Sequence, residues 1–248
     1  MTDSHAHLDA CAEDAATLVD RALAAGVTRI VTVGTGIDSC RAALAIADAN
    51  EGVYAALGID PHQAGSAEAE RIEEVRDLLD HSKAVAVGET GLDNVRRHAT
   101  PDQQRRLLSA HLELADELRL PVVIHNRDAD SETAQALQTF GGTVVLHCFS
   151  SPELVPVAVE RGYFVSFAGN VTYPAAVALR QAAAAVPRER ILVETDSPYL
   201  APQPVRGRRN EPANVMHTLH ALADARCETV EELAAATHSN ATAAFALP

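Results

Sequence analysis

Rhythm constrains this chain more than any single residue does. Eight short apolar runs lie near residues 2 to 5, 28 to 33, 53 to 58, 84 to 88, 121 to 124, 143 to 147, 163 to 167 and 191 to 195. Between them fall helical patterns: Ala12 to Ala25, Ser39 to Asn50, Ala67 to Asp80, Pro101 to Leu118, Ser131 to Phe140, Pro152 to Arg161 and Pro174 to Val186. Strand and helix alternate throughout, and eight β-then-α units closing near residue 248 predict one (β/α)8 barrel domain over residues 1–248. Gly26, Gly142 and Gly162 sit where helices turn back toward strands, and Pro101, Pro152 and Pro174 suit first-turn helix positions. The competing architecture is a doubly wound open sheet. Val33-Gly34-Thr35-Gly36 follows the second run, yet the third glycine of a dinucleotide fingerprint is missing.

The ends of these runs carry the chemistry. His5 and His7 close the first, and residues two apart in a strand project to the same side, so both imidazoles can reach one ion. Later runs end in Gly88-Glu89, His125, His147 and Asp196, all types that bind divalent cations. In a barrel the carboxyl ends of the strands converge on one face, which gathers these distant residues into one site. Imidazoles with carboxylates suit Zn²⁺ or Mn²⁺ and also admit Mg²⁺, and two ions about 3.5–4 Å apart can activate water and stabilise a leaving oxygen. Asp196 is the candidate general base and Glu89 the second candidate catalytic carboxylate. The bland alternatives are polar plugs in the barrel mouth for His125 and His147, a helix cap for Glu89 and a turn for Asp196. His81, His98, His111, His217, His220 and His238 are expected at the surface.

Composition limits the substrate. A net charge of -14 excludes a broad electrostatic surface for nucleic acid, so any such contact must be local. The dense positive spot is Arg206, Arg208 and Arg209, in a Pro-rich loop after the eighth run, with Asn210 beside it; guanidinium groups there suit phosphate. Aromatics are only 4% and Trp is absent, which argues for a strand end a few nucleotides deep rather than a long tracked strand. Tyr199 and Phe149 are the candidates for stacking a base, with core packing the stronger expectation for each. No apolar stretch approaches about 18 residues and the start lacks a basic region before an apolar one, which predicts neither membrane span nor export. Cys11, Cys40, Cys148 and Cys227 are widely spaced, as expected for free thiols in a cytoplasmic protein. No obligate protein partner is expected.

Six segments resemble the TatD family of metal-dependent hydrolases, within the amidohydrolase-like barrels. They are Asp3-Ser4-His5-Ala6-His7-Leu8-Asp9, Gly88-Glu89-Thr90-Gly91-Leu92-Asp93, Pro121-Val122-Val123-Ile124-His125, His147-Cys148-Phe149-Ser150, Glu194-Thr195-Asp196-Ser197-Pro198-Tyr199-Leu200 and Arg206-Gly207-Arg208-Arg209-Asn210-Glu211-Pro212. The resemblance implies that His5, His7 and Asp196 hold one ion, that His125 and His147 hold a second, and that Glu89 bridges them. It also implies a deoxyribonuclease acting on DNA ends, exonucleolytic and single-strand-preferring.

One departure stands out: Asp60, in Gly58-Ile59-Asp60-Pro61-His62, replaces a histidine usual in the family. An anion there repels a scissile phosphate unless it is protonated or paired with Arg. His62 remains a candidate substrate contact. Asn94 and Ser151 are smaller departures that reshape the mouth. The alternatives are a deacylase of aminoacyl-tRNA or another ester or amide hydrolase, and an inactive metal-binding interaction module.

Overall fold

The computed structural model describes residues 1–96 and 98–247. Eight strands form one parallel sheet in chain order: β1 Thr2–Ala6, β2 Arg29–Gly34, β3 Val53–Leu57, β4 Ala84–Asp93, β5 Val122–Arg127, β6 Val144–Leu146, β7 Phe164–Phe167 and β8 Ile191–Val193. The ring closes just beyond β8. Ala6 bridges Ser197 in parallel, the His7 N–H donates to the Ser197 carbonyl at 2.7 Å, and the Asp196 N–H donates to the His5 carbonyl at 2.9 Å. Buried Asp3 clamps the seam from below, accepting from the Thr195 N–H (2.9 Å) and the Thr195 hydroxyl (2.6 Å). The chain is therefore the barrel that the alternation predicts, not the open sheet.

The helices are α1 Ala15–Ala24, α2 Ile37–Ala49, α3 Ile72–Leu79, α4 Pro101–Leu118, α5 Asp130–Ala136, α6 Val155–Arg161, α7 Val177–Ala185, α8 Val215–Arg226 and α9 Val230–Phe245. Among the described residues none is long and apolar enough to cross a membrane. A capping box of Thr100 and Gln103, with Pro101 at the first turn, starts α4. Pro152 opens a 3₁₀ turn leading into α6, whereas Pro174 lies ahead of α7, in a turn rather than in the helix. Gly26 and Gly162 adopt the left-handed conformation expected of them (φ 86° and 66°).

Inward residues Val31, Val33, Ala56, Ala86, Val123, Val145, Phe164 and Leu192 form a core of their own with Ala241, Ala244, Phe245 and Leu247. The end of α9 thus plugs the amino-terminal mouth of the barrel, fixed by the Asn240 amide, which donates to the carbonyls of Arg188 (2.7 Å) and Ile191 (2.8 Å). With that end sealed by apolar packing, polar side chains collect at the other. All four cysteines are free thiols.

His111 is not at the surface. It is wholly buried in α4, accepting at Nε2 from the Ile59 N–H (3.0 Å) while Nδ1 lies 2.8 Å from the Leu107 carbonyl. Its spacing in α4 places it on the face turned to the sheet with Leu107, Leu108 and Leu114. His220 and His98 are exposed as expected, and His81, His217 and His238 are partly buried.

Candidate metal centre

Four imidazoles and two carboxylates meet at the carboxyl-terminal mouth. His5 points inward from β1 and His7 follows it, their Nε2 atoms 3.3 Å apart. Asp196 Oδ1 lies 3.4 Å from His7 Nε2 and 3.9 Å from His5 Nε2. Glu89 Oε2 completes this nest at 3.4 Å from His5 and 3.6 Å from His7. The other oxygen, Glu89 Oε1, faces a second nest, 2.8 Å from His125 Nδ1 and 3.1 Å from His147 Nε2. Those two ring nitrogens are 3.4 Å apart, and the His147 ring stacks on His5 with centroids 3.9 Å apart. One carboxylate therefore turns one oxygen to each nest. All six residues proposed from the sequence come together.

The placement differs from the expectation in detail. β4 runs on to Asp93 and β5 to Arg127, so Glu89 and His125 project from within strands rather than from their ends. Gly91 (φ 148°) makes this possible: a Cβ there would overlap the His125 carbonyl oxygen across the β4–β5 ladder.

Groups behind the nests orient the rings. His125 Nε2 lies 3.2 Å from Asp93 Oδ2, His147 Nδ1 lies 3.4 Å from Glu194 Oε1, and His7 Nδ1 lies 3.3 Å from the Val33 carbonyl. An imidazole that gives its far N–H to such an acceptor turns a lone pair toward the site, the arrangement that metal-binding histidines use. Asp93 is itself gripped by buried Gln104, whose Oε1 accepts the Asp93 N–H (2.7 Å) and whose Nε2 donates to the Asp93 carbonyl (3.0 Å). Sequence reasoning did not single out Asp93, Glu194 or Gln104. Asp93 and Glu194 stand inside the quoted segments, while only the fold brings Gln104 to Asp93.

The proton affinities of these groups follow the same electrostatics. Burial resists charge on every group, yet the carboxylates Asp196 and Glu89 raise the His7 pKa to about 9, and Glu89 and Glu194 hold His147 well above its ordinary value. Burial and the neighbouring His147 instead lower His5. Burial opposes ionisation of Glu89 as well, but the imidazoles hold its pKa well below the usual carboxylate range. The carboxylates draw protons onto rings whose lone pairs face one another. A divalent cation in each nest would take the place of those protons and satisfy both carboxylate and imidazole. The donor set thus fits metal.

Above the nests opens a cavity of about 540 Å³, lined in part by Asp60, His62, Asp93, Arg96, Arg127 and Tyr199. Asp60 caps a 3₁₀ turn, its Oδ1 accepting from the Gln63 N–H at 3.2 Å, and burial followed by the charge of Glu89 raises its pKa to about 6. The His62 ring lies 5.7 Å from that of His125, and His62 with Asp93 and His125 makes a further cluster of metal-binding types. Asn94 is bonded to the Asp128 carbonyl (2.8 Å), and Ser151 accepts from the Asn126 amide (2.9 Å).

Arg206, Arg208 and Arg209 do not line this cavity. Arg206 lies over the Tyr173 ring at 3.9 Å, and Arg209 borders a small separate cleft with Cys11 and Glu13. Asn210 is buried and its amide is engaged: it donates to the carbonyls of Thr195 (2.9 Å) and Tyr199 (2.7 Å), holding the loop after β8 instead of meeting substrate. Phe149 packs in the core against Phe167, as expected. Tyr199 does not: it is 54% exposed at the cavity rim.

The comparisons agree with this geometry. A family model described as TatD related DNase matches residues 2–246. An uncharacterized metal-dependent hydrolase TatD of Mycobacterium tuberculosis is 41% identical, over 100% of this chain and 98% of the relative. A protein of Citrobacter koseri named 3'-5' ssDNA/RNA exonuclease TatD is 33% identical, over 95% of this chain and 94% of its own length. Among solved structures, a TatD homologue from Escherichia coli K12 superposes with a TM-score of 0.92 at 31% identity, covering 100% of this chain and 98% of that one. The chain belongs to the TatD family of metal-dependent hydrolases.

Proposed function

We propose that this protein is a two-metal phosphodiesterase that removes nucleotides from the 3′ end of single-stranded DNA. The observation that carries the reading is Glu89, with one oxygen turned to each of two imidazole nests. Charge supports two ions. Among the described residues the cavity is lined by six carboxylates (Asp9, Asp60, Glu89, Asp93, Asp128 and Asp196) against two guanidiniums (Arg96 and Arg127), leaving four negative charges for two divalent cations to balance. The name of the Citrobacter koseri relative supplies the substrate and the polarity.

When bound, the ions supply positive charge that acidifies a water molecule and stabilises developing charge on oxygen. His5, His7, His125, His147, Glu89 and Asp196 would hold them. The carboxylate of Asp196, at the rim of the first nest, takes the proton of the attacking water as its oxygen bonds to phosphorus. The P–O3′ bond then breaks and the shortened strand leaves with its 3′ oxygen reprotonated. Arg206, Arg208 and Arg209, outside the cavity, remain candidates to meet phosphates further along the strand.

Metal-stripped protein reconstituted with Mg²⁺, Mn²⁺ or Zn²⁺ is expected to shorten 5′-end-labelled single-stranded DNA stepwise, with Asp196→Ala and His125→Ala each reducing the rate by about 100-fold or more. Full activity in either variant would overturn the reading. Asp60 gives the ester reading its support, because an anion beside the site favours a cationic substrate such as the ammonium of an aminoacyl ester. Silence on DNA with deacylation of aminoacyl-tRNA would move the assignment there. Tight metal binding without turnover of either substrate would leave a binding module.

A further inference from the structure

We propose that Tyr199, Arg96 and Arg127 form the subsite for the terminal nucleotide, Tyr199 stacking the base and the two guanidiniums binding the next phosphate. This rests on the nuclease reading and extends it to residues outside the metal centre.

Every other Tyr and Phe is buried or half-buried, yet the Tyr199 ring is 54% exposed. It stands at the first nest, its ring centroid 5.8 Å from that of His7 with the two planes 68° apart. The rim is also built to hold it. The Tyr199 N–H donates to the Asp196 carbonyl (2.8 Å) and the Tyr199 carbonyl accepts from Asn210 (2.7 Å). Among the described residues seven non-glycine positions have positive φ, and three of them, Arg119, Cys227 and Ala246, are helix C-caps. The other four, Asp128, Cys148, Asp196 and Leu200, all line this cavity, so the backbone strain outside caps is concentrated here.

The two arginines stand across the mouth, and one carboxylate places both. Asp93 Oδ1 accepts the backbone N–H groups of Val95 (2.8 Å) and Arg96 (2.7 Å), which fixes the turn carrying Arg96. Asp93 is also the register partner of Arg127 at the end of the β4–β5 ladder. Its other oxygen orients His125, so the guanidiniums are indexed to the second nest. Among the described residues neither side chain is paired with a carboxylate, as is also true of arginines such as Arg106 and Arg119, but Arg96 and Arg127 line the cavity. Unpaired cations in the wall of an acidic cavity await an anion, and the planar fork of guanidinium fits phosphate. A base on Tyr199 and a phosphate at Arg96 and Arg127 would set the intervening phosphodiester above Glu89.

The test uses metal-loaded full-length protein on single-stranded oligonucleotides with an intact or an abasic 3′-terminal nucleotide. Tyr199→Ala is expected to raise KM about 5- to 150-fold on the intact end, the range for one base–aromatic stack, with Tyr199→Phe near wild type and no further loss on the abasic end. Arg96→Ala and Arg127→Ala should each raise KM with little change in kcat and lower the salt slope of binding by about 0.7. Arg119→Ala removes an equal charge at the far end of α4 and should match wild type. If Tyr199→Ala discriminates intact from abasic ends as wild type does, or if either arginine variant keeps the wild-type KM and salt slope, the subsite is wrong although the nuclease stands. Wild type that neither binds nor cleaves the oligonucleotide removes the nuclease reading and the subsite with it.

Discussion

Protonation of His111 should cost the fold more than that of an average histidine. The ring is fully buried, its Nε2 accepts the Ile59 N–H and its Nδ1 faces the Leu107 carbonyl, so the neutral tautomer with the proton on Nδ1 satisfies every partner. Burial lowers the pKa from 6.5 to about 4, and the bond to the Leu107 carbonyl only partly offsets it. A folded pKa below the unfolded one means that the unfolded chain binds the proton first. Stability from this group is complete above pH 6.5 and is lost as pH falls toward 4. At about 1.4 kcal/mol per pH unit the loss approaches about 3 kcal/mol. The comparison is wild type against His111→Gln, whose amide can accept from Ile59 and donate to Leu107 without titrating. Urea unfolding of both metal-free proteins between pH 7 and 4 isolates the term, because the remaining titrating groups are common to both. Wild type should lose about 3 kcal/mol relative to the variant across that range. A difference that stays flat to within about 0.5 kcal/mol would refute the buried neutral ring. His111→Leu should cost about 1–3 kcal/mol at pH 7 by stranding the Ile59 N–H, which directly precedes Asp60 at the cavity wall.

Asp93→Asn should weaken metal binding about 10- to 100-fold with little effect on folding, because its amide donor would face His125 Nε2 and drive the proton onto Nδ1, which must point at the site; metal titration of the stripped variant checks this, and wild-type affinity would exclude the orienting role. Asp3→Ala should lower stability by about 1–3 kcal/mol by leaving the Thr195 N–H and hydroxyl without an acceptor at the barrel seam, with Asp3→Asn losing less; thermal unfolding reads both, and an unchanged Tm would show that the seam closes without the clamp.

The barrel was legible because local pattern and global topology coincide: each apolar run pairs with the next in sequence, so chain order is sheet order. The metal residues were legible for a related reason, since strand ends in such a barrel share one face. What sequence alone did not disclose depends on partners brought from elsewhere in the chain. Gln104 is unremarkable until α4 sets it against Asp93, and His111 looks like a surface histidine until the face of α4 is known. The plug formed by α9 was missed because its Ala-rich run gives no strong sidedness, and only burial shows Phe245 and Leu247 entering the barrel. The Arg206–Arg209 cluster drew attention by its density. Density in sequence does not fix direction, however, and the guanidiniums that reach the cavity are Arg96, in the turn after β4, and Arg127, at the end of β5.

These placements bear on how a protein of net charge -14 can act on a polyanion. At physiological salt, charges beyond about 8 Å are largely screened, so a strand end responds to the cavity wall and not to the whole surface. Without ions that wall carries four more carboxylates than guanidiniums, an excess that the protons drawn onto His7, His125 and His147 only partly offset. Two divalent ions, taking the place of those protons, bring the wall to neutrality with Arg96 and Arg127 still exposed to bind the strand. Metal loading therefore governs the approach of substrate as well as its chemistry. Asp60 adds to what the ions must offset, since a neutral histidine in its place would leave one negative charge fewer in the wall.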